Sequence, residues 1–164
     1  MRGISAAASG APRRNPWPSQ RDLFRGLGQA QAQFDHGHAA WDGLLKKHVR
    51  WLPDNKQSRV DYTAFKADRA ALKGVLDAMS ALPKAEFDTW SRDQRMAFLI
   101  NAYNAFTVEL ILAHYPVKSI KDIGSDLFSN RWKKKFFKLL GEDSYLDRIE
   151  HEILRKPGNY DEPR

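Results

Sequence analysis

Apolar residues recur at helical spacing in the first half of the chain. From Ala39 they fall on one side of a helix whose other side carries lysines and an arginine, and Pro53 ends this pattern. Residues 60–62 predict a short extended segment. After Thr63 a second apolar stripe predicts another helix, which ends at Pro83. This half of the chain is therefore predicted to form two helices with one extended segment between them.

The strongest pattern covers residues 92–113. Ser91 and Gln94 predict a capping box at its start, in which each side chain accepts a hydrogen bond from the other residue's backbone N–H. Apolar residues, Ile100 among them, cover nearly the whole circumference of the predicted helix, and Pro116 closes it. A helix that is apolar almost all round is expected to be central and buried.

The pattern changes again toward the C-terminus. Two short strands are predicted around a turn that contains Gly141, and Asp147 is predicted to cap a last helix with Glu150 three residues later. The predicted fold class is α+β, with a predominantly helical body around a buried central helix and a small antiparallel β-sheet near the C-terminus.

Domain organisation follows from length and local composition. Residues 1–19 are mostly alanine, serine, glycine, proline and arginine, which predicts a flexible leader. A short helical pattern then begins at Leu23 and Phe24. A chain of 164 residues has room for one hydrophobic core, so residues 20–164 are predicted to form a single globular domain.

Charge and cysteine content exclude several classes of function. The formal net charge of +7 favours solubility and attraction to anionic surfaces. The absence of cysteine excludes disulfides, thiolate metal sites and a cysteine nucleophile in these residues. The sequence contains no run of about 18 uncharged apolar residues, so no membrane span is predicted. The N-terminus lacks the apolar segment of about 7–15 residues found in secretory signals, so a cytoplasmic location is predicted unless a longer signal precedes it. No cofactor is predicted.

Several motifs in order resemble a known family, the domain of unknown function 547. They are residues 60–62, 98–105, 114–124, 132–133 and 147–155, and the resemblance spans roughly residues 41–164. In that family the pattern continues beyond a segment like residues 161–164 into an apolar strand that carries cysteines. The resemblance therefore implies a domain that is incomplete at its C-terminus. A two-stranded hairpin alone is marginal in water and exposed strand edges recruit other chains, so the strands are expected to lack a partner and the chain to be marginally stable or to self-associate.

Four residues are candidates for a catalytic site. Asn101 and Asn104 lie three apart on the predicted central helix, where an unpaired amide would cost about 1–3 kcal/mol, so both are expected to be hydrogen-bonded. They either clamp neighbouring backbone or face a cleft and position a substrate or a histidine. Glu150 either completes a helix cap or joins His151, which is either a general base or a structural donor.

Two further motifs carry weaker signals. His36 and His38 could be half of a metal site, but no third ligand follows at a recognised spacing. Residues 131–138 alternate basic and aromatic side chains, as in some nucleic-acid surfaces. A solvated strand whose aromatic side chains face the core explains the same pattern.

Three classes of function remain open. The first is a hydrolase or transferase domain, thiol-dependent in its complete form, with His151 as base and Asn101 or Asn104 as orienting amides. The second is a binding module for a protein or cell-envelope partner, which uses a cleft without chemistry. The third is a weak nucleic-acid binder that uses the basic residues 131–138.

Overall fold

The computed structural model describes residues 33–123 and 132–160, and a compact unit begins at Phe34. The predicted leader, the pattern at Leu23 and Phe24, and residues 161–164 lie outside the described residues. The described elements, in order, are α1 (Ala39–His48), β1 (Val49–Trp51), β2 (Ser58–Val60), α2 (Tyr62–Ala67), α3 (Arg69–Ala81), α4 (Lys84–Phe87), α5 (Arg92–His114), a 3-10 turn (Ile120–Asp122), β3 (Phe137–Leu139), β4 (Glu142–Ser144) and a π-helix (Arg148–Leu154). The predicted α+β class is confirmed.

Helix α5 forms the centre of the core. The predicted capping box is present, with Gln94 N–H donating to Ser91 Oγ at 3.2 Å and Ser91 N–H donating to Gln94 Oε1 at 3.0 Å. Helix α3 and the π-helix both contact α5. The buried residues of α5 are Phe98, Leu99, Ala102, Ala105, Phe106, Val108, Leu110 and Leu112.

One strip of α5 faces outward, contrary to the sequence pattern. Ile100, predicted to lie on an apolar core face, is 44% exposed. By length and composition alone, α5 is also long and apolar enough to cross a membrane, with a mean hydropathy of 1.5 in its most apolar window. Core helices of soluble proteins pass the same test, and α5 supplies much of the core described above.

Helix α1 ends earlier than its apolar pattern predicts. The pattern runs to Pro53, but α1 stops at His48 and the next three residues form β1, which pairs antiparallel with β2. The extended segment predicted at residues 60–62 begins earlier, at Ser58, and its partner is β1, so the expectation that it lacks a partner strand is wrong. Local strand pairing prevails here over helical periodicity.

The helix predicted after Thr63 is interrupted at Asp68. The Asp68 carboxylate lies 2.7 Å from His48 Nε2 and 2.6 Å from Lys47 Nζ. These bonds hold the junction between α2 and α3 against the end of α1, and they keep the pKa of Asp68 low. The imidazole of His48, only 2% exposed, stacks on Phe65 at 4.5 Å between ring centroids.

The predicted hairpin around Gly141 is confirmed. Strands β3 and β4 pair antiparallel, and the two loop residues, Leu140 and Gly141, have φ angles of 53° and 84°. Two consecutive positive φ angles match the turn that best fits the twist of a two-residue hairpin. Phe137 of β3 stacks on Phe106 of α5, with ring centroids 3.8 Å apart, so the hairpin packs on the central helix.

The last helix differs from its prediction. Residues Arg148–Leu154 form a π-helix, and the backbone N–H of Arg155 donates to the carbonyl of Glu150 at 2.9 Å, five residues earlier. The Asp147 side chain makes no capping hydrogen bond. The predicted cap formed by Asp147 and Glu150 is therefore wrong, and the Glu150 carboxylate is used elsewhere.

Truncation of Phe98 tests the central position of α5. Its side chain is fully buried, so Phe98→Ala should lower the free energy of unfolding by about 3–5 kcal/mol. Ile100→Ala, two residues away on the exposed strip, is the matched control and should change it by less than about 1 kcal/mol. Chemical denaturation measures both. Equal losses in the two variants would contradict the placement of α5.

Candidate functional site

Glu150 is the sequence candidate with the most contacts. Its carboxylate accepts a hydrogen bond from the Tyr103 hydroxyl and pairs with Arg155, whose NH2 nitrogen lies 3.0 Å from Glu150 Oε1. Burial, the charge of Glu150 and this hydrogen bond together raise the pKa of Tyr103 to about 12. The hydroxyl therefore stays protonated at neutral pH and serves as a donor that fixes the carboxylate.

His151 follows Glu150 in the sequence but has a different environment. Its side chain is exposed, and it makes no hydrogen bond or ion pair with any residue that the structure describes. The ring is accessible to a ligand from solvent. The pairing of Glu150 with His151, predicted as one route to catalysis, is not seen as a contact between the two side chains.

The two asparagines are not buried. Asn104 is exposed, Asn101 is partly exposed, and neither amide is hydrogen-bonded within residues 33–123 and 132–160. The expectation of buried, satisfied amides is wrong, because both fall toward the side of α5 that its neighbours leave open. Asn101 also precedes Tyr103 by two positions, roughly 200° around the helix. The Asn101 side chain therefore faces a different side of α5 from the Tyr103 side chain that contacts Glu150.

A cleft of about 470 Å³ opens where α4, the start of α5, the β3–β4 hairpin and the π-helix meet. Its volume lies within the range of small-molecule sites. The cleft is lined by Lys84, Phe87, Arg95, Leu140, Glu142, Arg148, Ile153, Gly158, Asn159 and Tyr160. Cationic residues thus outnumber acidic ones, and apolar side chains fill the spaces between them.

Two of the cleft's cations are paired with carboxylates, and the third has no such partner among the described residues. Arg148 pairs with Glu142, and Lys84 Nζ lies 2.6 Å from Asp88 Oδ2. The Nε of Arg95 is buried and has no hydrogen-bond partner in the described part of the chain. A buried donor without a partner costs about 1–3 kcal/mol, and more when it is charged. Among the described residues that line the cleft, Arg95 is therefore the one with a buried donor that lacks an acceptor.

Residues 158–160 line one side of the cleft. Arg92 donates to the Tyr160 carbonyl at 2.6 Å, and its guanidinium carbon lies 5.7 Å from the centre of the Tyr160 ring. Burial raises the pKa of Tyr160, while the charges of Arg95 and Arg92 oppose the shift. The tyrosine is therefore held neutral beside two cations.

Sequence reasoning did not identify Arg95 or Tyr103. A signal for Arg95 is nevertheless present in the sequence, because a cation near the positive end of a helix dipole is unfavourable. Arg95 occupies such a position, three residues after α5 begins at Arg92. Tyr103 gave no such signal, since a tyrosine in an apolar helix is ordinarily a core residue.

The weaker motifs have structural roles. The ring of His36 packs on Trp90 at 4.4 Å, and His38 packs on Phe34 at 5.4 Å. No group of three metal-binding side chains occurs among the described residues. In the basic motif, Trp132 and Phe136 pack against the core, and lysines 133–135 are exposed. Arg131 lies outside the described residues.

Comparison with known proteins gives one match. Residues 87–164 match the family described as "Protein of unknown function, DUF547". This range contains Glu150, His151, Asn101 and Asn104, and every residue that lines the cleft except Lys84. No curated protein and no solved structure matches the chain.

Replacement of Glu150 tests the cause of the Tyr103 pKa. Glu150→Gln removes the negative charge, so the pKa of Tyr103 should fall below about 12. Ultraviolet absorbance of tyrosinate, followed as the pH rises, measures the change against Tyr103→Phe. Glu152→Gln, which removes a carboxylate from Tyr145 instead, is the control. A Tyr103 titration unchanged in Glu150→Gln would contradict the contact.

Proposed function

We propose that residues 87–164, a domain of the DUF547 family, bind an anionic small molecule in the cleft that Arg95 lines. The observation that carries this proposal is the buried, unpartnered Nε of Arg95. A ligand carboxylate or phosphate would supply the missing acceptor. Such a ligand would also offset the positive charge of Arg95, because Arg148 and Lys84 are already paired with carboxylates.

The lining of the cleft indicates the class of ligand. The planar guanidinium of Arg95 suits a carboxylate or phosphate group, which accepts two parallel hydrogen bonds. Phe87, Leu140 and Ile153 offer apolar surface in the same cleft. The preferred ligand is therefore an anion that also carries an apolar or aromatic part. Its anionic group would bind Arg95, and its apolar part would be buried against the apolar side chains of the cleft.

A hydrolase or transferase activity is a second candidate, and the contacts of Glu150 favour it. Tyr103 and Arg155 fix the Glu150 carboxylate, and the next residue, His151, has an accessible ring that could accept a proton from a bound nucleophile. The two candidates separate experimentally, because His151→Ala should leave anion binding in the cleft unchanged and abolish turnover.

Phenyl phosphate is a suitable probe for the cleft, with phenol as its neutral counterpart. Calorimetric titration should show phenyl phosphate binding and no binding of phenol at matched concentration. Arg95→Gln should weaken binding at least tenfold, since a hydrogen bond to a charged group contributes about 1.5–3 kcal/mol. Lys66→Gln, which removes an exposed cation outside the cleft, should bind as the wild type does.

A thermal melt without ligand separates loss of binding from loss of folding. Arg95→Gln should melt at the same temperature as the wild type or higher, because the substitution removes a buried Nε–H donor that has no acceptor among the described residues. Unchanged affinity in Arg95→Gln would overturn the proposal. A melting temperature far below that of the wild type would also overturn it, because Arg95 would then be a structural residue.

A further inference from the structure

We propose that the β1–β2 hairpin is a docking surface for single-stranded nucleic acid, contacted by Arg50, Arg59 and Trp51. The hairpin precedes the family-matched residues 87–164, and this inference does not depend on the proposed cleft ligand. It rests on three features of the hairpin: a cross-strand pair of arginines, an exposed tryptophan and a polar tip.

Arg50 and Arg59 lie directly opposite each other in the register of the hairpin. The neighbouring backbone bonds, from Asp61 N–H to the His48 carbonyl at 2.9 Å and from Leu52 N–H to the Gln57 carbonyl at 2.8 Å, make this a hydrogen-bonded pair. The two Cα atoms in such a pair are about 5.5 Å apart. Like charges at this position repel and destabilise the strand pair.

Nothing in the described part of the chain neutralises this repulsion. Both arginines are exposed, and neither forms an ion pair with a residue that the structure describes. A phosphate group between the two guanidiniums would convert the repulsion into two charge-assisted contacts. The pair therefore favours an anionic partner, and a phosphate in particular.

Trp51 follows Arg50 and is 68% exposed, which makes it the most exposed bulky apolar side chain among the described residues. Its cross-strand neighbour is Ser58, which is too small to cover the indole ring. Consecutive residues of a strand point to opposite faces, so Trp51 lies on the face opposite Arg50. The two strands are only about 4.8 Å apart, so one nucleic-acid strand that runs along the edge of the hairpin can reach both faces. The indole offers a base a surface for stacking.

The tip of the hairpin distinguishes nucleic acid from a membrane. Asp54, Asn55 and Lys56 occupy the tip and are exposed, so there is no apolar loop to enter hydrocarbon. The stacking surface favours unpaired bases over a duplex, whose bases already stack on one another. The basic residues 133–135 lack such a surface, since the aromatic residues beside them pack into the core.

The test measures anisotropy of a labelled oligothymidylate of about 15 nucleotides, a length that spans several nucleotide-binding positions, across a series of salt concentrations. Arg50→Gln/Arg59→Gln should weaken binding and reduce the slope of log affinity against log salt by about 1.4, since each single-strand phosphate contact contributes roughly 0.7. Lys73→Gln/Lys121→Gln removes the same net charge elsewhere and should leave the slope unchanged.

Trp51→Ala should weaken binding about tenfold without changing the salt slope, and Trp51→Phe should restore most of the affinity. Vesicles that contain phosphatidylserine serve as the lipid arm of the experiment. The proposal is overturned if the wild type does not bind the oligonucleotide, if the arginine and lysine double variants behave alike, or if the vesicles bind through these residues and the oligonucleotide does not.

Discussion

Burial of helix α5 is the constraint on which the rest of the domain depends. Its capping box sets where the helix begins, and its aromatic side chains fix what packs around it. Phe106 stacks on Phe137 and so places the β3–β4 hairpin, while Tyr103 holds Glu150 of the π-helix. Because the hairpin and the π-helix are both attached to α5, the cleft that they enclose with its first turn has defined walls.

The same constraint explains why the cleft has an unsatisfied cation. Arg95 lies at the start of α5, where the apolar helix meets the two elements that it positions. Its Nε is buried by that packing and finds no acceptor in the described residues. An apolar side chain at this position would avoid the free-energy cost of a buried donor without an acceptor. An arginine at this point is consistent with the proposed binding of an anion.

Local patterns predicted much of this fold and little of its candidate site. Periodicity and caps identified α5, and the glycine turn identified the β3–β4 hairpin. They failed at His48, where α1 ends because the following residues pair with β2 and the imidazole meets Asp68. They also failed at Glu150, whose partner Tyr103 is 47 positions away along the sequence. Convergence of this kind depends on tertiary packing, which spacing along one helix does not reveal.

The most direct test of an anion-binding Arg95 is its own Nε–H signal in a nitrogen–proton correlation spectrum, assigned by its loss in Arg95→Lys. Addition of phenyl phosphate should shift this signal to saturation, because the ligand supplies an acceptor that Arg95 Nε lacks among the described residues. The signal of Arg69, which already donates to Glu109 at 3.3 Å, should stay in place. An Arg95 signal that does not move while phenyl phosphate saturates the protein would contradict the account.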